Sequence, residues 1–305
     1  MARTNLSYQI NSAIEQGFRP GMDKHSAKHT GENLGKVYSY AEKKSLQQVS
    51  FEFKDFMKEN YNSVKMIKDV KPEHWQNFLI EKSKTCSTAT LQNYVSRIGK
   101  IEVLAQNKFG FRSNWKNNIS SPPSQKTPSG EKLRVQQMTK EDYNKIMEAS
   151  KNSTSQAVPA LEIAYRFGLR VEDVTKLRVE FVNLEKMQLK VNGKGGRTHY
   201  LPIRGEDIKV LKQQIEGKKP GDKLISIKKD SINTYLNRTM QKLDLKDKYP
   251  NTGVHSIRKL RAQEEYDKVR SEGMSKKDAM NHVSKFLGHG KNRYDTFNTY
   301  VQNQH

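Results

Sequence analysis

Apolar residues recur at helical spacing through the segment from Val37 to Gly110. Three runs place them at i, i+3 and i+4 with charged residues between: 51–57, 75–79 and 91–104. This pattern predicts a small all-helical domain over residues 44–119. The preceding residues 1–43 are polar and irregular, with several glycines and a proline, and they predict a separate arm with one short helix.

Proline, serine and glycine dominate the stretch from Ser120 to Lys132, which shows no apolar periodicity. This composition is typical of a linker. We therefore predict a linker over residues 120–137 and a second domain over residues 138–305.

The second domain alternates between helical and strand patterns. Thr139 can cap a helix that starts at Lys140, and further helices are predicted at about 206–216, 230–243, 255–271 and 275–287. Apolar and polar residues alternate at 187–191 and around 198–203, on either side of a glycine-rich turn, which predicts a hairpin or a three-stranded sheet. The predicted fold class is mainly α with a small β-sheet (α+β).

The charge balance narrows the range of partners. The net charge of +22 indicates a polyanion, with nucleic acid favoured over a membrane surface. No apolar run approaches the roughly 20 residues that span a bilayer, and residues 1–15 lack the apolar core of a signal peptide. The one cysteine, Cys86, excludes an internal disulfide and fits a reducing cytosol.

Cleaving a phosphodiester without a metal requires a nucleophile, cationic donors for the non-bridging oxygens and an acid for the leaving oxygen. Arginine suits the cationic role because its planar fork binds phosphate bidentately. The second domain offers such groups in order. Arg170 follows a helix end marked by Gly168, Asp173 comes three residues later, and Lys194 lies in a Gly-Lys-Gly-Gly turn.

Further along the chain, His255 and Arg258 share one face at the start of a helix. His289 follows a helix that ends in Gly288, and Tyr300 lies in the segment Thr-Phe-Asn-Thr-Tyr-Val. Each motif alone is weak, because a lone arginine, turn lysine or tyrosine is usually structural. Their order and spacing together are specific.

These motifs over residues 138–305 resemble the tyrosine recombinase (phage integrase) family. The resemblance implies that Tyr300 attacks DNA to form a 3′-phosphotyrosyl link, that Arg170 and Arg258 clamp the phosphate, and that Lys194 protonates the 5′ oxygen. It also implies supporting roles for His255 and His289 in phosphate binding and proton transfer, and for Asp173 in orienting Arg170. The helical domain is similar in position to the family's core-binding domain, and residues 1–43 to an accessory DNA-binding segment.

The resemblance also implies partners. We expect double-stranded DNA with specific sites, four protomers on two DNA sites, no cofactor, no metal, no membrane, and a cytoplasmic, bacterial or phage-encoded protein of a mobile element. Tyr294 is the competing nucleophile. The alternatives are a type IB topoisomerase and a non-catalytic DNA-binding protein on the same fold. A metal nuclease is disfavoured because the sequence has no dense acidic cluster and its histidines are scattered.

Overall fold

The computed structural model describes residues 5–31, 35–129, 136–193, 198–250, 252–290 and 294–304. The chain divides into an N-terminal unit, Met1–Leu133, and a C-terminal unit, Arg134–His305. Each unit has its own hydrophobic core.

The N-terminal unit is helical in its described part, as the apolar spacing predicts. Its helices are α1 (Leu6–Gly17), α2 (Lys24–His29), α3 (Tyr40–Asn60), α4 (Pro72–Ser83) and α5 (Thr88–Phe109). The centre of its core is aromatic: the rings of Phe53 and Trp75 stack at 3.5 Å between centroids, and Trp115 packs beside them. Trp115 Nε1 donates to the carbonyl oxygen of Val70 at 2.9 Å, so its polar atom is satisfied inside the core.

Helix α1 belongs to this bundle, which differs from the predicted separation between an arm (1–43) and a helical domain (44–119). Ile10 and Ile14 are fully buried, and α1 packs against α3 and α5. Gln9 ties α1 to the loop before α4 by accepting a hydrogen bond from the backbone N–H of Ile67 at 2.9 Å. The physical reason is that four apolar residues spaced along a short helix form a stripe wide enough to close one side of the core.

The first part of the predicted linker is also held by the N-terminal unit. Ser124 donates to the carbonyl oxygen of Cys86 at 2.7 Å, and Thr127 Oγ1 accepts from the N–H of Thr88 at 2.9 Å. Both side chains are buried. Residues 120–129 are therefore an ordered strap over the start of α5, and residues 130–135 lie outside the described residues.

The C-terminal unit combines helices with a small sheet, which confirms the predicted fold class. Thr139 caps the first helix as predicted, accepting from the N–H of Asp142 at 3.2 Å. The helices are α6 (Lys140–Ala149), α7 (Ala157–Arg166), α8 (Val171–Val174), α9 (Gly205–Ile215), α10 (Lys229–Lys242), α11 (Val254–Ser271), α12 (Lys276–Phe286) and α13 (Tyr294–Tyr300).

The sheet is antiparallel in the order β1 (Val182–Asn183), β2 (Gln188–Asn192) and β3 (Thr198–Pro202). Leu189 pairs with Leu201, and both side chains face the core of the unit. Met187, at φ 49°, forms the turn into β2.

Helix α11 runs through the middle of the C-terminal unit and contacts α7, α10, α12 and α13. It is buried over most of its length even though it carries many charged residues. Two of its buried charges pair with each other: Glu265 accepts from Arg261 at 2.7 Å, and it also accepts from Arg204 at 2.8 Å and interacts with His282 at 2.9 Å. This pairing allows a polar helix to occupy the centre of the unit.

None of the helices in the described ranges is both long enough and apolar enough to cross a bilayer.

Candidate active site

The turn after α7 places Arg170 at the start of α8. Gly168 has φ +58°, and a Cβ at this position would lie 2.6 Å from the Phe286 ring. Both the left-handed backbone and the close approach therefore require glycine here. The sequence prediction that Arg170 follows a helix end is confirmed.

Asp173 holds Arg170 in place. Its carboxylate accepts from the backbone N–H of Arg170 at 3.4 Å and pairs with Nη1 at 3.6 Å. Asp173 is buried, whereas the Arg170 side chain keeps a quarter of its surface exposed. The carboxylate thus fixes the backbone and one guanidinium nitrogen of Arg170, and it leaves part of the guanidinium open to a ligand.

His289 contacts the same guanidinium at a second turn. Helix α12 ends at Phe286, Gly288 has φ +69°, and the N–H of His289 donates to the carbonyl oxygen of Ser284 at 2.8 Å. His289 Nε2 lies 3.0 Å from Arg170 Nη2. Arginine has no acceptor, so Nε2 must accept this hydrogen bond, and the neutral ring then carries its proton on Nδ1.

Arg258 connects the turn at Gly168 to the turn at Gly288. It is 2% exposed, and its Nη1 and Nη2 donate to the carbonyl oxygens of Gly168 and Leu287, the latter at 2.7 Å. Its Nε has no hydrogen-bond partner among the residues that the structure describes. A buried guanidinium whose Nε–H has no partner is ready to bind an anion.

Burial lowers the pKa of Arg258 to about 10, and the positive charge of Arg170 acts in the same direction. Arg258 therefore still carries its charge at neutral pH. Because Arg170 and Arg258 are both positively charged and act on each other, the site favours an anionic ligand.

Tyr300 lies at the end of α13, over this cationic centre. The centroid of its ring is 5.1 Å from Arg258 Cζ, 5.0 Å from the His255 ring and 5.7 Å from the His289 ring. The residue is 5% exposed. Tyr294 lies at the other end of the same helix, about 9 Å away along the axis at 1.5 Å per residue.

Burial, together with the nearby positive charges of Arg258, Lys259 and Arg170, lowers the pKa of His255 to about 4. The imidazole is therefore neutral at physiological pH. A neutral ring beside a phenol can accept its proton.

His199 also lies at this site, although the scattered histidines of the sequence do not predict it. Its ring packs on the Gly288 turn: a Cβ on Gly288 would lie 2.7 Å from His199 Cε1. Burial lowers the pKa of His199, Asp173 raises it, and Arg258 and Arg170 lower it. One signal for it exists in the sequence, because His199 lies three residues after the Gly-Lys-Gly-Gly motif that contains Lys194.

The structure thus brings together Arg170, Asp173, His255, Arg258, His289 and Tyr300. Lys194, which lies between β2 and β3 in the sequence, is outside the described residues. No three histidine, cysteine, aspartate or glutamate side chains in the described segments form a group that could hold a metal ion.

Comparison with known structures shows the same fold. A XerH site-specific recombinase in a post-cleavage complex with a palindromic difH substrate matches at a TM-score of 0.68 and 15% identity, over 98% of this chain and 94% of that one. A lambda integrase dimer bound to a COC′ core site matches at 0.62 and 15%, over 96% and 80%. A lambda integrase tetramer bound to a Holliday junction matches at 0.65 and 15%, over 93% and 78%.

The family model described as the phage integrase family matches residues 136–305, which is more than half of the chain. This range contains all of the site residues described above. The chain therefore belongs to the phage integrase family, the tyrosine-type site-specific recombinases.

Proposed function

We propose that this protein is a site-specific DNA recombinase that cuts and rejoins DNA through a covalent bond to Tyr300. The observation that carries the proposal is the position of the Tyr300 ring, within about 6 Å of Arg258, His255 and His289. A phenol, a cationic phosphate clamp and neutral imidazoles are the groups that metal-free transesterification at phosphorus requires.

In the first step, the Tyr300 oxygen attacks the scissile phosphorus and its proton passes to a neutral histidine, for which His255 is the nearer ring. Arg170 and Arg258 hold the non-bridging oxygens as negative charge builds on them. The free N–H of Arg258 Nε supplies one such donor.

The bond from phosphorus to the 5′ oxygen then breaks. We propose that the Lys194 ammonium gives a proton to this oxygen, which leaves as a 5′ hydroxyl. The products are a 3′-phosphotyrosyl link and a free 5′ end. Attack by a 5′ hydroxyl of the second DNA reverses the same steps and joins the strands, so the reaction requires no nucleotide and no metal.

The partner in this proposal is double-stranded DNA, and the assembly is four protomers on two DNA sites. The similarity in fold to the lambda integrase tetramer on a Holliday junction supports this assembly. The biological role that we propose is integration or excision of a mobile element in a bacterial cytoplasm.

A covalent-capture experiment tests the proposal. The protein is incubated with fragmented bacterial genomic DNA, the mixture is denatured, and DNA linked to protein is sequenced to locate the junction. A nicked suicide duplex with the recovered sequence should then form a protein–DNA adduct on a denaturing gel, in the presence of a metal chelator.

Two matched variants decide the nucleophile. Tyr300→Phe should abolish the adduct, whereas Tyr294→Phe should retain it. An adduct that survives Tyr300→Phe would reject Tyr300, and the absence of any adduct with the wild-type protein would reject catalysis. Relaxation of a supercoiled plasmid without joining of two sites would instead indicate a type IB topoisomerase.

A further inference from the structure

A buried glutamine holds the chain that follows Tyr300. Gln263 lies on α11, five residues after Arg258, and is 5% exposed. A buried amide must have its donors and acceptors satisfied, because each one left unpaired is costly. The partners of Gln263 therefore show what the residue is for.

Its partners come mostly from the segment after α13. Gln263 Oε1 accepts from the backbone N–H groups of Gln302 and Asn303, both at 3.0 Å. Its Nε2 donates to the carbonyl oxygen of Asn303 and to Asp267 Oδ1, both at 2.8 Å. These four bonds use the full capacity of the amide, and three of them go to backbone atoms two or three residues beyond Tyr300.

Tyr300 is thus held on both sides by the same helix. Before it, Phe297 of α13 packs on Tyr266 of α11, with 5.4 Å between ring centroids. After it, Val301 is buried and the Gln263 bonds follow at once. Helix α11 also carries His255 and Arg258, so the same helix positions Tyr300 and two of the side chains around it.

We infer that Gln263 is a positioning residue for Tyr300: it fixes the backbone of residues 302–303 to α11 and so sets the approach of the phenol to the phosphate. This inference rests on the proposed role of Tyr300. A nucleophile displaced by about 1 Å loses on the order of 100-fold in rate, which is the scale of effect that four lost hydrogen bonds can produce.

The test compares Gln263→Met with wild type. Methionine keeps the length and volume of the side chain and removes all four hydrogen bonds. On the suicide duplex recovered by covalent capture, the single-turnover cleavage rate at saturating DNA should fall about 10- to 100-fold, while the DNA concentration for half-saturation stays unchanged. Gln241→Met, at an exposed position on α10, is the matched control and should behave as wild type.

A second variant removes one of these hydrogen bonds at its backbone donor and leaves the buried Gln263 side chain unchanged. Asn303→Pro deletes one of the two N–H donors at an exposed residue. If the contact is direct, the effects of Gln263→Met and Asn303→Pro on the cleavage rate should be less than additive in the double variant. Full additivity would overturn the inference.

Hydrogen exchange of the Gln302 and Asn303 amides gives a readout that requires no DNA. Exchange should be faster in Gln263→Met than in Gln241→Met. Equal exchange, an unchanged cleavage rate, or a loss of cleavage matched by an equal loss of DNA binding would each overturn the role assigned to Gln263. If the wild-type protein forms no adduct, the proposed function fails, and the exchange experiment still decides whether Gln263 holds this segment.

Discussion

The two arginines of the site have the same charge but different surroundings. Arg258 is buried and donates to two backbone carbonyls, whereas Arg170 is partly exposed and forms an ion pair with Asp173. Arg258 is therefore part of the protein's core as well as of the proposed phosphate clamp. Arg170 can be removed with less effect on the fold.

This difference predicts distinct outcomes for Arg170→Ala and Arg258→Ala. Both variants should still bind DNA and lose at least about 100-fold in cleavage, because each removes a donor for the transition-state charge. Arg258→Ala should also lower the free energy of unfolding by about 3 kcal/mol or more, since two buried carbonyls lose their partner. Urea denaturation and adduct formation measure the two effects. Wild-type cleavage by either variant would contradict the clamp.

His255 predicts a dependence of stability on pH. The unfolded chain takes up a proton near pH 6.5, whereas the folded imidazole does so only near pH 4. The free energy of unfolding should therefore fall as the pH drops through this window, by on the order of 2 kcal/mol at pH 5.

Urea denaturation at pH 7 and pH 5 tests this dependence. His255→Gln should lose less stability between the two pH values than wild type, and His29→Gln, at an exposed position, should match wild type. Equal losses in all three proteins would show that His255 does not resist protonation.

At the level of elements, the turn at Gly288 carries His289 and supports His199. Gly288 and Gly217 both have φ near +70°, but a Cβ would meet the His199 ring at 2.7 Å in the first case and nothing within 4 Å in the second. The two glycines therefore separate backbone strain from crowding.

We predict that Gly217→Ala lowers the free energy of unfolding by about 1–2 kcal/mol, the cost of the left-handed backbone alone. Gly288→Ala should lower it further and should also slow cleavage, because the His199 ring or the His289 turn must shift. Thermal denaturation and the suicide-duplex assay measure both effects. Equal stability and equal cleavage in the two variants would contradict a role for this contact.

Sequence patterns predicted the helices and strands better than they predicted which of these elements pack together. Helices α6 and α9 to α12 and the strands β2 and β3 followed from periodicity, and Gly168 and Gly288 marked the two turns, whereas the short helices α8 and α13 were not predicted. Helix α1 was assigned to an arm because its partners, α3 and α5, lie far along the chain. The roles of His199 and Gln263 were missed for a similar reason: the first depends on where β3 meets a distant turn, and the second binds backbone atoms, which no side-chain pattern reveals.

At the scale of the whole molecule, the net charge of +22 predicts strongly salt-dependent DNA binding. Each neutralised phosphate releases counterions, so the logarithm of affinity should fall linearly with the logarithm of salt, with a slope of about −0.9 per contact. For roughly six contacts, affinity should fall about 10³-fold between 50 and 200 mM salt.

Titration of a fluorescent duplex over this salt range measures the slope. Arg170→Ala should reduce the magnitude of the slope by about one, because it removes one phosphate contact. A slope near zero in the wild-type protein would contradict a binding mode based on phosphate contacts.

The burial of Tyr300 affects how readily water could hydrolyse the proposed covalent link to DNA. Tyr300 is 5% exposed, so the phosphotyrosyl ester that we propose would form in a place that bulk water reaches poorly. Hydrolysis there would strand a chromosome with an open break, whereas an incoming DNA end arrives already aligned by its own duplex. In the proposed reaction this enclosure favours rejoining of the strand over hydrolysis, so the covalent link should persist until another DNA end attacks it.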